Sequence, residues 1–229
     1  MTRNYSTKFI SVVGTDTGVG KTSAARTISD HLSKLGYSVR AVKPYVSGST
    51  FGKWEDCDLL DPLRKYRTPA RYCLPLSPYG AVRKGEKLTE KKKIFNYIAK
   101  ASIKVDWLVI EGIGGVMVPL EKKYLWLDFH EKYRWPAVIV GRGRLGTLNH
   151  TLLTITALKS REIPILGFIL CNTDDYSFEE TKENAEIIKE ISSVEALGMI
   201  EYNASDWKKA WLRGINWKRM EKYFEASRY

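Results

Sequence analysis

Gly14-Thr15-Asp16-Thr17-Gly18-Val19-Gly20-Lys21-Thr22 is the stretch of this sequence with the clearest chemistry. A glycine-rich turn of this kind aims successive backbone N–H groups at phosphate oxygens, and the start of the following helix adds positive potential. A lysine there reaches the terminal phosphates, and the hydroxyl after it can bind magnesium. Glycine at 18 and 20 permits the close approach. The literal G-x-x-x-x-G-K-[ST] pattern would begin at position 15, where this chain has Thr15; its glycine lies one residue earlier, at 14. The segment sits between a strand-like and a helix-like run, and a turn that merely joined two elements would need neither Lys21 nor Thr22. Thr17, Gly18, Val19, Gly20, Lys21, Thr22 and Ser23 are therefore the expected nucleotide contacts.

A second part of such a site is an acid at the end of a hydrophobic strand. Leu108-Val109-Ile110-Glu111, followed by Gly112-Ile113-Gly114-Gly115, supplies it and places Glu111 beside the phosphates. Magnesium prefers hard oxygen ligands and keeps several waters, so one hydroxyl and one or two carboxylates suffice. Gly141-Arg142-Gly143-Arg144-Leu145-Gly146 spells the G-x-G-x-x-G of dinucleotide sites. It follows the fourth strand rather than the first, and the next strand ends in Asn172 where an acidic ribose ligand would stand. It reads better as a tight turn at a subunit or substrate contact.

These residues need a scaffold that gathers strand ends. Apolar runs recur at Phe9 to Val13, Val39 to Val42, Trp107 to Ile110, Ala137 to Val140, Ile165 to Leu170 and Leu197 to Ile200, the pattern of strands buried on both faces. Ala24, Ala25, Ile28, Leu32 and Leu35 follow helical spacing and stop at Gly36. Thr89 is a candidate N-cap for a helix through Ala101, Leu145 to Lys159 is another helix, and Ser177 with Glu180 makes a capping box ahead of a helix through Ile191. The alternation predicts an α/β fold of the P-loop NTPase type: a doubly wound, mainly parallel sheet with helices on both faces and ligands at the carboxyl ends of the strands. Ser47 to Gly85, rich in Pro, Gly and Tyr, reads as an active-site excursion with a short helix near Leu59 to Lys65. Residues 207–229 form a basic, aromatic extension to which the sequence assigns no role.

At 229 residues the chain is long enough for one such domain and short for two, so residues 1–229 are expected to be a single domain. A net charge of +11 favours anions without choosing among nucleic acid, an acidic membrane and a phosphorylated substrate. Lys91, Lys92 and Lys93 read as a solvated helix face. Cys57, Cys73 and Cys171 are too scattered for a zinc site or a disulfide framework, which fits a reducing cytoplasm. No apolar stretch approaches the roughly 20 residues a spanning helix needs, so a cytoplasmic protein with no membrane partner is expected.

Several segments together resemble the dethiobiotin synthetase family: Gly14 to Thr22, Lys43-Pro44-Tyr45-Val46-Ser47-Gly48, Glu111 to Gly115, Pro119-Leu120, Leu145-Gly146-Thr147-Leu148-Asn149-His150, and Cys171-Asn172. They stay in family order over residues 9 to 202. The resemblance implies a homodimer that converts 7,8-diaminononanoate, carbon dioxide and ATP into dethiobiotin, ADP and phosphate, with Mg2+ required and no nucleic acid. It implies that Lys21 and Lys43 stabilise charge on the transferring phosphoryl group and a carbamate, and that Ser47 hydrogen-bonds the carbamate. Thr22, Asp58 and Glu111 would bind magnesium, with Asp56 the alternative to Asp58. Asn172 would contact adenine, Asn149 would reach the diamine across the dimer interface, and Gly146 would let that backbone approach.

The chain departs from the family at Gly18, where some members carry an acid, at Tyr79 after Ser77-Pro78, where histidine is common, and at Glu201, where proline is expected near the adenine. Arg142 and Arg144 charge a loop that is usually more apolar. Two other readings compete. The ATP-using half of a cobyrinate-type amidotransferase would need a glutaminase domain for which the chain has no room. A partition-type ATPase switch binding DNA would suit the basic charge but expects a second lysine early in the phosphate loop, and Gly14, Thr15 and Asp16 offer none.

Overall fold

A computed structural model describes residues 7–62, 65–172, 177–201 and 206–226. In chain order the elements are β1 (Lys8–Gly14), α1 (Lys21–Lys34), β2 (Val39–Val42), β3 (Tyr45–Ser47), α2 (Glu55–Leu60), β4 (Ala70–Tyr72), α3 (Pro78–Arg83), α4 (Lys91–Ser102) and β5 (Trp107–Gly115). They continue with β6 (Pro119–Glu121), β7 (Tyr124–Leu125), α5 (Trp126–Glu131), β8 (Ala137–Arg142), α6 (Thr147–Ser160), β9 (Ile165–Cys171), α7 (Phe178–Ser192), β10 (Ala196–Ile200), α8 (Trp207–Gly214) and α9 (Trp217–Ala226).

Six parallel strands form one sheet in the order β10-β9-β8-β1-β5-β2. Strand β1 is thus near the middle, flanked by β5 and β8, and the chain's direction across the sheet reverses beside it. In open α/β sheets the crevice at such a reversal is where ligands bind. Two-residue alternation divides each strand between two cores: Leu108 and Ile110 face one, Trp107 and Val109 the other. The first core packs α4, α5, α6 and α7 through Ile94, Phe129, Ile155 and Ile188. The second packs α1 through Ala24, Ala25, Ile28 and Leu32. The expected doubly wound α/β architecture is present, and each of the six apolar runs is a strand of its sheet.

Three local expectations change. The short helix is Glu55–Leu60 rather than Leu59 to Lys65. Acids in its first turn suit a helix start, and Pro62 disfavours helical backbone at Asp61, which sits at φ −128°. Residues 63 and 64 of the expected helix lie outside the described residues. The cap of α4 is Glu90, not Thr89; its carbonyl accepts from the Lys93 N–H. Residues 207–226 are not an appendage. Trp211, Ile215, Met220 and Phe224 are buried in the second core, and the Phe224 ring meets Trp107 at 5.2 Å. His31 is bonded to Glu221 at 2.8 Å and stacked on Trp217, tying α1 to α9. Ser177 caps α7 as expected, accepting from the Glu180 N–H. Among the described residues no helix is long and apolar enough to cross a membrane.

His130 on α5 is fully buried and bonds through Nε2 to the Trp135 carbonyl at 2.7 Å. A carbonyl can only accept, so Nε2 carries a proton, while Nδ1 is buried with no hydrogen-bond partner among the described residues. Burial drives its pKa down to about 4. Because the folded pKa lies below the unfolded one, stability is whole above pH 6.5 and falls as the pH drops from there to about 4. We expect a loss of roughly 3 kcal/mol over that window from this residue. Urea unfolding at several pH values checks it; a His130→Gln variant should lose that share of the pH dependence.

Candidate active site

The site lies at the carboxyl ends of β1, β2 and β5. Val42 of β2 pairs in register with Ile110 of β5, so Lys43, the first residue past β2, stands beside Glu111, which continues in β5 and is paired with Val12 of β1. Parallel neighbours are about 4.8 Å apart, which brings a lysine and a glutamate into direct contact. Lys43 Nζ stands 2.5 Å from Glu111 Oε1 and 2.5 Å from Asp56 Oδ2 of α2. The Thr22 hydroxyl, in the first turn of α1, donates to the same Glu111 oxygen at 2.9 Å. Glu111 is 1% exposed and Lys43 6%.

Electrostatics follow from burial and neighbours. Burial disfavours the charge on Lys43, but Glu111 and Asp56 outweigh it and hold the pKa above the usual range. Burial raises Glu111, against the pull of Lys43. Asp56 would also be raised by burial, yet Lys43 and the hydroxyl of Thr22 bring it below the ordinary carboxylate value. Lys21 is lowered to about 8 by burial, with Lys43 adding to the shift and Glu111 opposing it.

The phosphate loop closes the other side. Gly18 and Gly20 adopt left-handed φ values of 70° and 96°, which a side chain would resist. Lys21 Nζ donates to the Asp16 carbonyl at 2.7 Å, inside the curve of the loop. Asp16 folds its carboxylate back to accept from the Thr17 N–H at 2.6 Å. The cleft encloses about 590 Å3 and is lined by Thr17, Gly18, Gly20, Lys21, Thr22, Ser23, Lys43, Ser47, Asp56, Ser77 and Glu111 with apolar Val46, Leu59, Leu76, Ile113 and Val118.

Most of the expected residues therefore meet in one cleft. Val19 does not enter it; its side chain is buried in the second core, leaving only its backbone to the loop. Asp58 is also elsewhere. Residues two apart on a helix point to different sides, so α2 can send only one of the pair inward, and it sends Asp56. Asp58 lines a separate hollow of about 420 Å3 with Trp54, Cys57 and Asp61. Gly146 and Asn149 lie at the start of α6, both exposed and outside the cleft's lining. Asn172, at the end of β9, is buried, its Oδ1 accepting from Thr181 at 2.7 Å. Gly143 makes this possible: a Cβ there would stand 1.9 Å from that oxygen.

Sequence reasoning missed two neighbours of the loop. Arg142 of β8 donates to the Thr17 carbonyl at 3.0 Å. Trp211 of α8 lies so close to Gly20 that a Cβ at 20 would come within 2.8 Å of its ring. The first could have been found from the strand pairing of β1 with β8; the second had no sequence signal.

The oxygens fit a magnesium ion. Thr22, Asp56 and Glu111 offer the hard donors it prefers, and Glu111 Oε2 is buried with no hydrogen-bond partner among the described residues.

Removing Lys43 leaves two carboxylates unpaired, one fully buried. Lys43→Met should cost about 3–5 kcal/mol in metal-free buffer. Adding Glu111→Gln should recover much of that, and denaturant unfolding of the single and double variants measures both.

The AAA domain family matches residues 8–206. Among similar proteins, the ATP-dependent dethiobiotin synthetase of Endomicrobium trichonymphae is 36% identical over 200 residues, 83% of this chain and 91% of that one. The enzyme of the same name from Methanocaldococcus jannaschii is 32% identical over 206 residues, 84% and 93%. Among solved structures, the cell division ATPase MinD of Pyrococcus furiosus superposes with a TM-score of 0.57 at 16% identity, over 94% of this chain and 99% of that one. At that identity the likeness concerns the fold alone.

Proposed function

This chain belongs to the ATP-dependent dethiobiotin synthetase family, and we propose that its cleft joins a diamine, carbon dioxide and ATP through the two lysines that meet there. The protein is an ATP-dependent ligase that makes dethiobiotin. In the reaction, one amine of 7,8-diaminononanoate adds to carbon dioxide and gives up a proton, forming a carbamate. The carbamate oxygen attacks the γ-phosphate and releases ADP. The second amine then attacks the carbonyl carbon of the mixed anhydride, closes the ureido ring and expels phosphate.

Little in this sequence asks for a covalent enzyme intermediate; it asks for positioning and for positive charge in a water-poor space. The observation that carries the reading is that Lys21 and Lys43, from different elements, line one cleft with Ser47 and the phosphate loop. Lys21 would leave the Asp16 carbonyl for the terminal phosphates. Lys43, in the link between β2 and β3, would stabilise both the transferring phosphoryl group and the carbamate, which Ser47 would hydrogen-bond. Thr17, Gly18, Val19, Gly20, Thr22 and Ser23 would hold the nucleotide phosphates, Val19 through its backbone. Asn172, held by Thr181, would meet the adenine. Thr22, Glu111 and Asp56, the last in place of Asp58, would hold magnesium, which when bound offsets phosphate charge.

Gly146 and Asn149 fit this site only if a second copy supplies them. Leu145 and Leu153, beside them on the same surface, are 90% and 61% exposed, and apolar groups left so open favour a partner. A homodimer in which α6 of one copy reaches the diamine of the other accounts for both. The partition-type and amidotransferase readings are not favoured by these relatives, which are synthetases.

Purified protein given diaminononanoate, bicarbonate, ATP and magnesium should yield dethiobiotin by mass with one ADP per product; ATP hydrolysis indifferent to the diamine would sink the reading. Lys21→Ala should lower turnover about a thousandfold. Mixing an Asn149→Ala variant with a Lys21→Ala variant should restore roughly a quarter of wild-type activity, since half of randomly paired dimers would hold one intact site. No recovery on mixing would show that each copy works alone.

A further inference from the structure

Arg142 ends β8, next to the strand that feeds the phosphate loop, where Gly14 pairs with Val140. From there its Nη2 donates to the Thr17 carbonyl at 3.0 Å. The nearest group to a Cβ built on Gly18 is that same Nη2, at 3.7 Å. Its other neighbour in the loop, the Asp16 carboxylate, is 3.8 Å away and 61% exposed, a geometry that contributes little. The Nε of Arg142 is buried without a partner among the described residues. The side chain is thus held in the protein at a cost, and its short contact is with loop backbone.

The peptide bond explains what that contact does. In a trans peptide the C=O of one residue and the N–H of the next point in opposite directions. At the Asp16–Thr17 peptide, the carbonyl faces Lys21 inside the loop and the N–H faces outward to the Asp16 carboxylate. At the next peptide the order is reversed: the Thr17 carbonyl is outside, on Arg142, so the Gly18 N–H faces the cradle. We propose that Arg142 is a positioning residue of the phosphate loop, pinning the Thr17 carbonyl outward so that the Gly18 N–H is aimed at bound phosphate. This rests on the reading that ATP occupies the loop. The glycine matters to the same device, since its left-handed backbone lets the chain reverse at this point.

The test compares wild type, Arg142→Met and Arg142→Lys in the intact enzyme, measuring ATP and ADP affinity by calorimetry and steady-state constants for each substrate. Arg142→Met should weaken both nucleotides by roughly five- to tenfold, the scale of one lost hydrogen bond of ordinary strength. It should raise KM for ATP alike, with kcat and KM for the diamine within about twofold. Arg142→Lys, which keeps a donor for the carbonyl, should recover part of the loss. Unchanged nucleotide affinity in Arg142→Met, a lysine variant no better than methionine, or losses shared equally by the diamine would overturn the assignment. Wild-type protein that bound no ATP would instead remove the functional reading on which it stands.

Discussion

One buried ammonium group organises the carboxyl edge of this sheet. Lys43, just past the end of β2, and Glu111, within β5, stand at matched positions on neighbouring parallel strands, and neither can be bared to an apolar core without the other. Burying either alone would cost several kcal/mol. The surroundings follow from that requirement. The excursion after β3 turns back to lay Asp56 over the lysine, α1 begins where the Thr22 hydroxyl can reach the glutamate, and the segment carrying Thr68 bonds the Lys43 carbonyl at 2.8 Å. A closed set of opposite charges keeps the cleft folded while its working partners are away, and a nucleotide with a divalent ion can exchange with it group for group.

The phosphate loop is held from three directions by different chemistry. Inside, Lys21 takes the Asp16 carbonyl; on the outer rim, the Asp16 carboxylate takes the Thr17 N–H and Arg142 the Thr17 carbonyl; beneath, the Trp211 ring fills the space against Gly20. Such loops expose many N–H groups and would collapse onto themselves if left to local preference. The fixed dipoles therefore exist before any phosphate arrives, which is the condition under which they contribute most to charge stabilisation.

Much of the fold could be read in the residues because a parallel sheet buried on both faces must show continuous apolar runs, and all six did. The meeting of the loop and Glu111 in one cleft was equally legible, since strand, turn and helix occur in the order that such a site needs. Three things were not. Asp56 and Asp58 are equivalent in composition, and only the phase of α2, which buries Leu60 in the second core, separates them. Arg142 looked like an addition to a turn because its partner is brought near by strand pairing rather than by sequence. Residues 207–226 looked like a charged tail because Trp211, Ile215, Met220 and Phe224 are spaced among many lysines and arginines; their burial depends on the strip of sheet left open between α1 and the edge strand.

The placement of β1 has a consequence for how the chain is made. Synthesis delivers β1 and the phosphate loop before either sheet partner of β1, and before the indole that props Gly20, all of which lie far downstream. While the ribosome works, that strand is a nascent segment apolar on both faces with no neighbour to pair with, and contacts of such long sequence separation form slowly. The motif that carries the phosphate site thus waits for partners made well after it before it can acquire its shape.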